Sequence, residues 1–153
     1  MNRRVNEPGE PLARRIVENF TNEQIEKSLG ETAMFKSEEL KERTKKFAIR
    51  IVFLFRSLPR TEEARVMGKQ LLRSATSVAA NYRAVCRARS QAEFISKISV
   101  VVEEADESIF WLELLIETET MTKVKIESLL DEANQILAIF AASQNTVKKH
   151  RET

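Results

Sequence analysis

Hydrophobic residues recur every three or four positions along most of the chain, with polar residues between them. This spacing places apolar side chains along one side of a helix. It predicts four helices, at about 38–58, 62–88, 91–118 and 122–148. Residues 69–153 contain neither glycine nor proline, which favours long, unbroken helices. The connections between the predicted helices are short, so consecutive helices should lie side by side and run in opposite directions. The sequence therefore predicts an all-α fold, an up-down-up-down antiparallel four-helix bundle over residues 37–150.

The first predicted helix begins after Ser37 and ends before Pro59, which cannot continue it. Its apolar stripe consists of Leu40, Phe47, Ile51, Leu54, Phe55 and Leu58. Residues 1–36 form an N-terminal arm, in which a short helix is predicted at 22–29, capped by Thr21 and closed by Gly30. No pattern in the arm indicates a function.

The third predicted helix has the clearest start and the most regular seam. Ser90 and Glu93 form a capping box, in which each side chain accepts a hydrogen bond from a free backbone amide at the helix start. The seam has heptad spacing and consists of Ile95, Ile98, Val102, Ala105, Ile109, Leu112 and Ile116. A second apolar set consists of Phe94, Val101, Phe110, Trp111, Leu114 and Leu115. This stripe is wider than one neighbouring helix covers, so a second contact surface is expected.

The second predicted helix is cationic along one side. Between residues 64 and 92 there are six Lys or Arg residues and no acidic residue. At about 100° per residue, the cations fall opposite the apolar positions. We interpret this side as a phosphate-binding surface formed by Arg65, Lys69, Arg73, Arg83 and Arg87. The alternatives are a solvated surface and a face that pairs with the acidic helix of a neighbouring subunit.

The third predicted helix is acidic, with seven Asp or Glu residues and no Lys or Arg between residues 98 and 122. Three of them, Glu103, Glu104 and Glu107, have the EExxE spacing by which all-α nucleotide pyrophosphohydrolases hold magnesium. Those enzymes also need a later ExxD element, but Glu127 and Asp131 lie four residues apart instead of three. A solvated or inter-subunit face is therefore preferred over a magnesium-dependent pyrophosphohydrolase.

The amino-acid composition excludes several classes of function. The chain has 153 residues, one cysteine, one histidine and a net charge of +2. It has no glycine-rich phosphate loop and no Glu-x-x-His pair, so we predict no enzymatic activity, no metal site and no cofactor. No run of apolar residues is long enough to span a membrane, and no secretory signal is evident. A cytoplasmic location without membrane contact is expected.

The run FAIRIVFLFRSLP and the stretch from Glu63 to Leu115 closely resemble the bacterial four-helix-bundle proteins first noticed within intervening sequences of 23S ribosomal RNA genes. The resemblance covers roughly residues 43–145. The residues that carry it are Gly68, Lys69, Gln70, Leu71, Arg73, Ser74, Ser77, Asn81, Tyr82, Arg83, Arg87, Arg89, Ser90, Glu93, Phe94, Glu103, Glu104, Asp106, Glu107, Trp111 and Leu112.

This resemblance implies a homo-oligomeric ring of five subunits without enzymatic activity. It also implies a fold similar to the accessory protein of diversity-generating retroelements, which binds nucleic acid and partners a reverse transcriptase. The expected function is binding of RNA or DNA, with weak sequence specificity, through the basic face of the second helix. The candidate subunit interface consists of Glu103, Glu104, Glu107 and Trp111. The alternative is a scaffold or accessory subunit whose charged faces serve assembly or docking of a reverse transcriptase or another protein.

Overall fold

The structure is a computed structural model that describes the backbone of residues 22–152 and the side chains of residues 36–152. The helices are α1, Asn22–Ser57; α2, Glu62–Val85; α3, Gln91–Glu117; and α4, Lys123–Glu152. The chain divides after Ser37, and the bundle is the unit Glu38–Thr153. Between residues 22 and 152 there is no strand, and none of these helices is apolar over a length sufficient to cross a membrane.

Helices α1 and α4 lie side by side and run in opposite directions. Arg43 Nε donates to Glu132 Oε1 at 2.6 Å, and further along α1, Arg50 Nη2 donates to Ser128 Oγ at 2.5 Å. As the residue number rises along α1, the residue number of the partner on α4 falls, so the two helices are antiparallel. The predicted up-down-up-down arrangement requires this contact between the first and last helices.

Polar contacts of the same kind join α2 to α3 and α3 to α4. Ser108 Oγ of α3 donates to Ser74 Oγ of α2 at 3.0 Å, and both residues are fully buried. Gln144 Nε2 of α4 donates to Ser99 Oγ of α3 at 2.5 Å. The chain therefore packs α3 between α2 and α4, and α4 packs against α1.

The core between the helices is formed by the apolar stripe of each. Its largest fully buried side chains are Phe47, Phe140, Ile51, Leu71, Ile98, Leu112, Leu115, Ile126 and Ile136. Tyr82 of α2 packs against Phe140 of α4 across the bundle, with ring centroids 4.8 Å apart. The all-α four-helix bundle predicted from the hydrophobic spacing is confirmed.

Helix α1 extends further toward the N-terminus than predicted. It is continuous from Asn22, so the predicted helix end at Gly30 and the predicted start after Ser37 are both wrong. Glycine weakens a helix by about 1 kcal/mol but keeps its backbone N–H, so a sequence without proline on either side can propagate the helix through it. The rest of the predicted arm, residues 1–21, including the proposed cap at Thr21, lies outside the described residues.

Helix α2 ends three residues earlier than predicted, at Val85. The next amides bond three residues back, with Arg87 N on Ala84 O at 3.1 Å and Ala88 N on Val85 O at 3.0 Å, which tightens the last turn. Ser90 then adopts an extended backbone to cap α3. The chain needs this short segment to reverse direction, so the helical pattern could not continue to residue 88.

The capping box at the start of α3 forms with one change of partner. Ser90 Oγ accepts from Glu93 N at 3.0 Å, as predicted. Glu93 Oε2 accepts instead from Arg89 N at 2.8 Å, one residue before the cap. The backbone hydrogen bond from Arg89 is the main cause that lowers the pKa of Glu93.

The buried side of α3 differs from the predicted heptad seam. Val101 and Leu115, placed in a second apolar set by their spacing, lie in the core of this bundle together with Ser108. Ile95, Val102 and Ile116, which the heptad placed in the seam, are only partly buried. From the second set Phe110 remains on the surface, with 51% of its area exposed.

Helices α1 and α2 approach closely at Gly68. A Cβ atom at this position would lie 2.5 Å from Leu58 Cδ1 and 3.1 Å from Phe55 Cδ2. The absence of a side chain at Gly68 therefore allows the end of α1 to pack against the first turns of α2.

Helix α3 ends without a glycine. After the C-cap Thr118, Glu119 adopts φ 54°, in the left-handed region that glycine usually occupies. Met121 N then bonds back to Leu115 O at 3.1 Å and closes the turn into α4. The glutamate makes this turn at a steric cost that glycine would avoid.

Candidate nucleic-acid interface

Three of the predicted phosphate-binding residues lie on the outer side of α2 with free charged groups. Arg65, Lys69 and Arg83 are exposed, and within residues 36–152 none of their side chains forms an ion pair or hydrogen bond. The opposite side of α2 is buried in the core, represented by Leu71 and Val78. The predicted division of α2 into a cationic and an apolar side is confirmed, and its use for binding phosphate stays a prediction.

Arg73 is engaged within its own chain. Its Nη1 donates to Glu104 Oε1 and Oε2, each at 3.2 Å, and its Nη2 donates to Glu107 Oε1. The hydrogen bond from Arg73 lowers the pKa of the Glu107 carboxyl, and the hydrogen bond to Glu107 raises the pKa of Arg73. Arg73 therefore joins α2 to α3 and is less available to an external phosphate than the other cations of α2.

The last two of the six cations in residues 64–92, Arg87 and Arg89, lie beyond the end of α2. Arg87 is exposed in the turn after Val85, so its predicted angular position on the helix is wrong, although its side chain is free within the described part of the chain. Arg89 Nε lies 3.5 Å from Glu93 Oε2. The cationic surface of α2 thus consists of Arg65, Lys69 and Arg83, with Arg87 at its edge.

The acidic residues predicted to form a subunit interface occupy the outside of α3. Glu104 and Glu107 converge on Arg73, and Trp111 Nε1 donates to Glu107 Oε1 at 3.1 Å. Glu103 is exposed. Across residues 36–152 no three His, Cys, Asp or Glu side chains are grouped in a way that could hold a metal ion. A role of these residues in subunit contact stays a prediction.

A shallow cavity of about 470 Å³ lies at the turn between α1 and α2. Its charged lining consists of three arginines, Arg56 from the end of α1, Arg60 from the turn and Arg65 from the start of α2, and one carboxylate, Glu62. The close approach of the helices at Gly68 holds its two walls together, because Phe55 and Leu58, which pack on Gly68, also line the cavity. The cationic side of α2 therefore continues around the turn onto α1.

Comparison with known proteins identifies the family. Residues 36–142, more than half of the chain, match the family model described as 23S rRNA-intervening sequence protein. The chain belongs to the 23S rRNA-intervening sequence protein family. A crystal structure of a Bacteroides thetaiotaomicron protein of unknown function, from the S23 ribosomal protein family, is 38% identical with a TM-score of 0.66. The similarity covers 72% of this chain and 98% of that one. No curated protein matches the chain significantly.

Membership of the 23S rRNA-intervening sequence protein family confirms the resemblance found in the sequence. The matched segment begins at residue 36, near the start of the bundle, so most of the predicted N-terminal arm lies outside it. The family description states where such genes were found, and the crystallised relative is itself of unknown function. The function of this family member must therefore be argued from its surface.

A second basic segment in this 23S rRNA-intervening sequence protein was missed at the sequence level. Residues 43–61 contain six Lys or Arg residues and no acidic residue. Two of these, Arg43 and Arg50, are used internally to bond α4, whereas Lys45, Lys46, Arg56 and Arg60 are exposed. A count of charges along the first helix would have found the segment, because it has six cations and no acidic residue, like residues 64–92.

The two basic segments divide the bundle into halves of opposite charge. Residues 43–92, which include most of the bundle part of α1 and all of α2, carry twelve Lys or Arg residues and two acidic residues. Residues 93–152, which include α3 and α4, carry six Lys or Arg residues and twelve acidic residues. Helices α1 and α2 are neighbours, so the net charge of +2 conceals one cationic half and one anionic half.

Proposed function

We propose that this protein is a non-enzymatic, homo-oligomeric bundle that binds RNA or DNA through phosphate contacts from its cationic half. The single observation that supports this best is the continuous exposed surface from Arg56 and Arg60, across the cavity, to Arg65 and Lys69. Cations outnumber carboxylates on this surface, where Glu62 is the one acidic residue that lines the cavity, and such a surface attracts a polyanion without reading its sequence. A ring of five subunits, expected from the family resemblance, and a cytoplasmic location, expected from the sequence composition, belong to the same proposal.

The charges on α2 have suitable chemistry for phosphate. Arginine presents a planar fork of donors and lysine a mobile point charge, and both release condensed counterions when they contact a nucleic-acid backbone. Because Arg65, Lys69 and Arg83 have no carboxylate partner within residues 36–152, no ion pair must be broken before they bind. Repetition of this surface in a ring would add avidity to weak contacts from each subunit.

A second function is favoured by the anionic half. Exposed carboxylates of α3 and α4 could meet the cationic half of another copy head to tail, and such contacts close into rings. Within one chain, Arg73 of α2 already pairs with Glu104 and Glu107 of α3. These ion pairs support the second function, because a head-to-tail contact between copies would pair the same types of side chain. In that case the charged faces serve assembly, or docking of a reverse transcriptase or another protein.

Fluorescence anisotropy with labelled RNA and DNA tests the proposal. The full chain and the triple variant Arg65→Ala/Lys69→Ala/Arg83→Ala are titrated over a series of salt concentrations. The matched control, Lys123→Ala/Lys125→Ala/Lys148→Ala, removes the same charge from exposed sites on α4. Light scattering of every sample measures the oligomer at the same time.

The proposal predicts binding that weakens steeply as salt rises. The slope of log K against log salt should fall by about 0.7 to 0.9 for each phosphate that the triple variant no longer neutralises. The control should keep the wild-type slope. Absence of binding at low salt by an intact oligomer would exclude the proposed function. Dissociation of the triple variant into smaller species would instead assign these cations to assembly.

A further inference from the structure

The outer side of α1 combines exposed apolar residues with cations. We call this surface the α1 outer face and define it by Lys45, Lys46, Ile49, Phe53 and Arg56, all of which are exposed. These positions lie on the side of the helix opposite the buried Phe47 and Ile51. No acidic residue occurs between residues 43 and 61. The face is therefore purely cationic where it is charged.

Phe53 is the most exposed aromatic residue in residues 36–152, with 60% of its area accessible. Its neighbour on the same side of α1, Ile49, is 44% exposed. Exposure of a phenylalanine forfeits free energy that its burial would contribute to folding. Isolated exposed apolar residues are common, but an aromatic ring within a group of cations has a specific chemical use.

The guanidinium of Arg56 holds the ring within the cationic surface. Its Cζ lies 5.4 Å from the centroid of the Phe53 ring, within cation–π distance. Arg56 also lines the cavity at the turn, together with Arg60 and Arg65. One arginine therefore contacts both the exposed ring and the cavity that leads to the cationic side of α2.

We propose that the α1 outer face binds single-stranded nucleic acid, with an unpaired base stacked on Phe53 and its flanking phosphates on Arg56, Arg60 and Arg65. This inference rests on the proposed function and names its substrate class. Binding surfaces for single strands combine a positively charged path for the backbone with aromatic side chains on which bases stack. The α1 outer face and the cavity supply both parts side by side.

A single strand fits this surface better than a duplex does. In a duplex the faces of the bases are covered by their neighbours, so an exposed ring has nothing to stack on without local opening. A protein partner is less suited, because the face lacks the carboxylates and large apolar area that a protein interface would need next to its cations. A second copy presenting the same face would bring like charges together.

Anisotropy with three probes of equal length tests the inference in the full chain. The probes are a single strand of mixed sequence, its duplex, and an abasic strand that keeps the phosphates but lacks the bases. The variants are Phe53→Ala and Phe53→Tyr. The matched control is Phe110→Ala, which removes a similarly exposed ring, 51% accessible, from the acidic helix α3.

The inference predicts that wild-type protein binds the base-containing single strand more tightly than the duplex or the abasic strand. Phe53→Ala should weaken binding of the base-containing strand by at least about five-fold and leave the abasic strand unaffected. Phe53→Tyr should restore binding, and Phe110→Ala should leave it unchanged.

Three results would overturn the inference. Equal affinity of wild-type protein for base-containing and abasic strands would leave phosphate contacts, and the proposed function, standing without the base contact. A changed oligomer mass in Phe53→Ala would assign the face to subunit contact. Absence of binding to every probe would exclude the proposed function and this inference together.

Discussion

Replacement of Gly68 by valine should destabilise the bundle by forcing α1 away from α2. An added Cβ would lie 2.5 Å from Leu58 Cδ1 and 3.1 Å from Phe55 Cδ2, and valine adds two methyl groups beyond it. Overpacking of this kind costs about 1–3 kcal/mol. The helix propensity of valine exceeds that of glycine by only a few tenths of a kcal/mol, about 0.4, so the clash dominates.

Alanine at the same position separates the two effects. It gains about 1 kcal/mol of helix propensity over glycine, and its contact with Leu58 involves the end of a side chain that can rotate. The stability of Gly68→Ala should therefore remain close to that of the wild type. The control Ala80→Val places the same β-branched residue at an exposed position of α2, where only the propensity cost of about 0.6 kcal/mol is expected.

Thermal unfolding followed by circular dichroism measures the difference. For a unit of this size, 1 kcal/mol corresponds to about 4 °C, so Gly68→Val should lower the melting temperature by roughly 4 to 12 °C. An unchanged or raised melting temperature in Gly68→Val would refute the reasoning. It would mean that the helices are further apart at this point than the positions of Leu58 and Phe55 indicate.

Three further substitutions test other parts of the bundle. Ser90→Ala removes the cap of α3 and should cost about 1 kcal/mol in urea unfolding. Glu119→Gly relieves the residue with φ 54° and should add about 1 kcal/mol, measured in the same way. Glu132→Gln removes a carboxylate whose pKa is lowered chiefly by its hydrogen bond from Arg43. A lowered pKa stabilises the fold above the ordinary glutamate range and loses this contribution as the pH falls through the folded-state value, so the variant should be about 1 kcal/mol less stable at pH 7 and similar to wild type at about pH 3.

Each of these three predictions would be contradicted by a specific result. An unchanged urea midpoint in Ser90→Ala would mean that the cap contributes nothing net. A Glu119→Gly variant less stable than the wild type would mean that residue 119 does not adopt the left-handed backbone conformation. For Glu132→Gln, an equal loss of stability at neutral and acidic pH would show that the effect is not electrostatic, and Glu127→Gln at an exposed site on α4 is the matched control.

Local patterns in the sequence predicted the helices well because their causes are local. The spacing of Phe47, Ile51 and Leu54 determines the buried side of α1, and Ser90 with Glu93 determines the start of α3. The predicted helix end at Gly30 is wrong because it was based on the glycine alone, without the residues that follow it. A glycine is a helix end only when the following residues cannot continue the helix, and here they can.

The candidate site was harder to predict because it depends on contacts between helices. The partner of Arg73 is set by the packing of α3 against α2, which no spacing within α2 reveals. Phe53 lies in a segment where apolar residues occur on all sides of the helix, so periodicity alone does not show which ring remains exposed. The charge count of residues 43–61 was available in the sequence, but its importance depends on the contact of α1 with α2.

The opposite charges of the two halves of the bundle act beyond direct contact, because they give the molecule a large dipole moment despite its small net charge. A polyanion approaching within about one Debye length, about 8 Å at physiological salt, exerts a torque that turns α1 and α2 toward it before any atoms touch. Orientation before collision raises the rate of encounter more than it slows release. Salt should therefore alter the association rate of this protein with a polyanion more strongly than its dissociation rate.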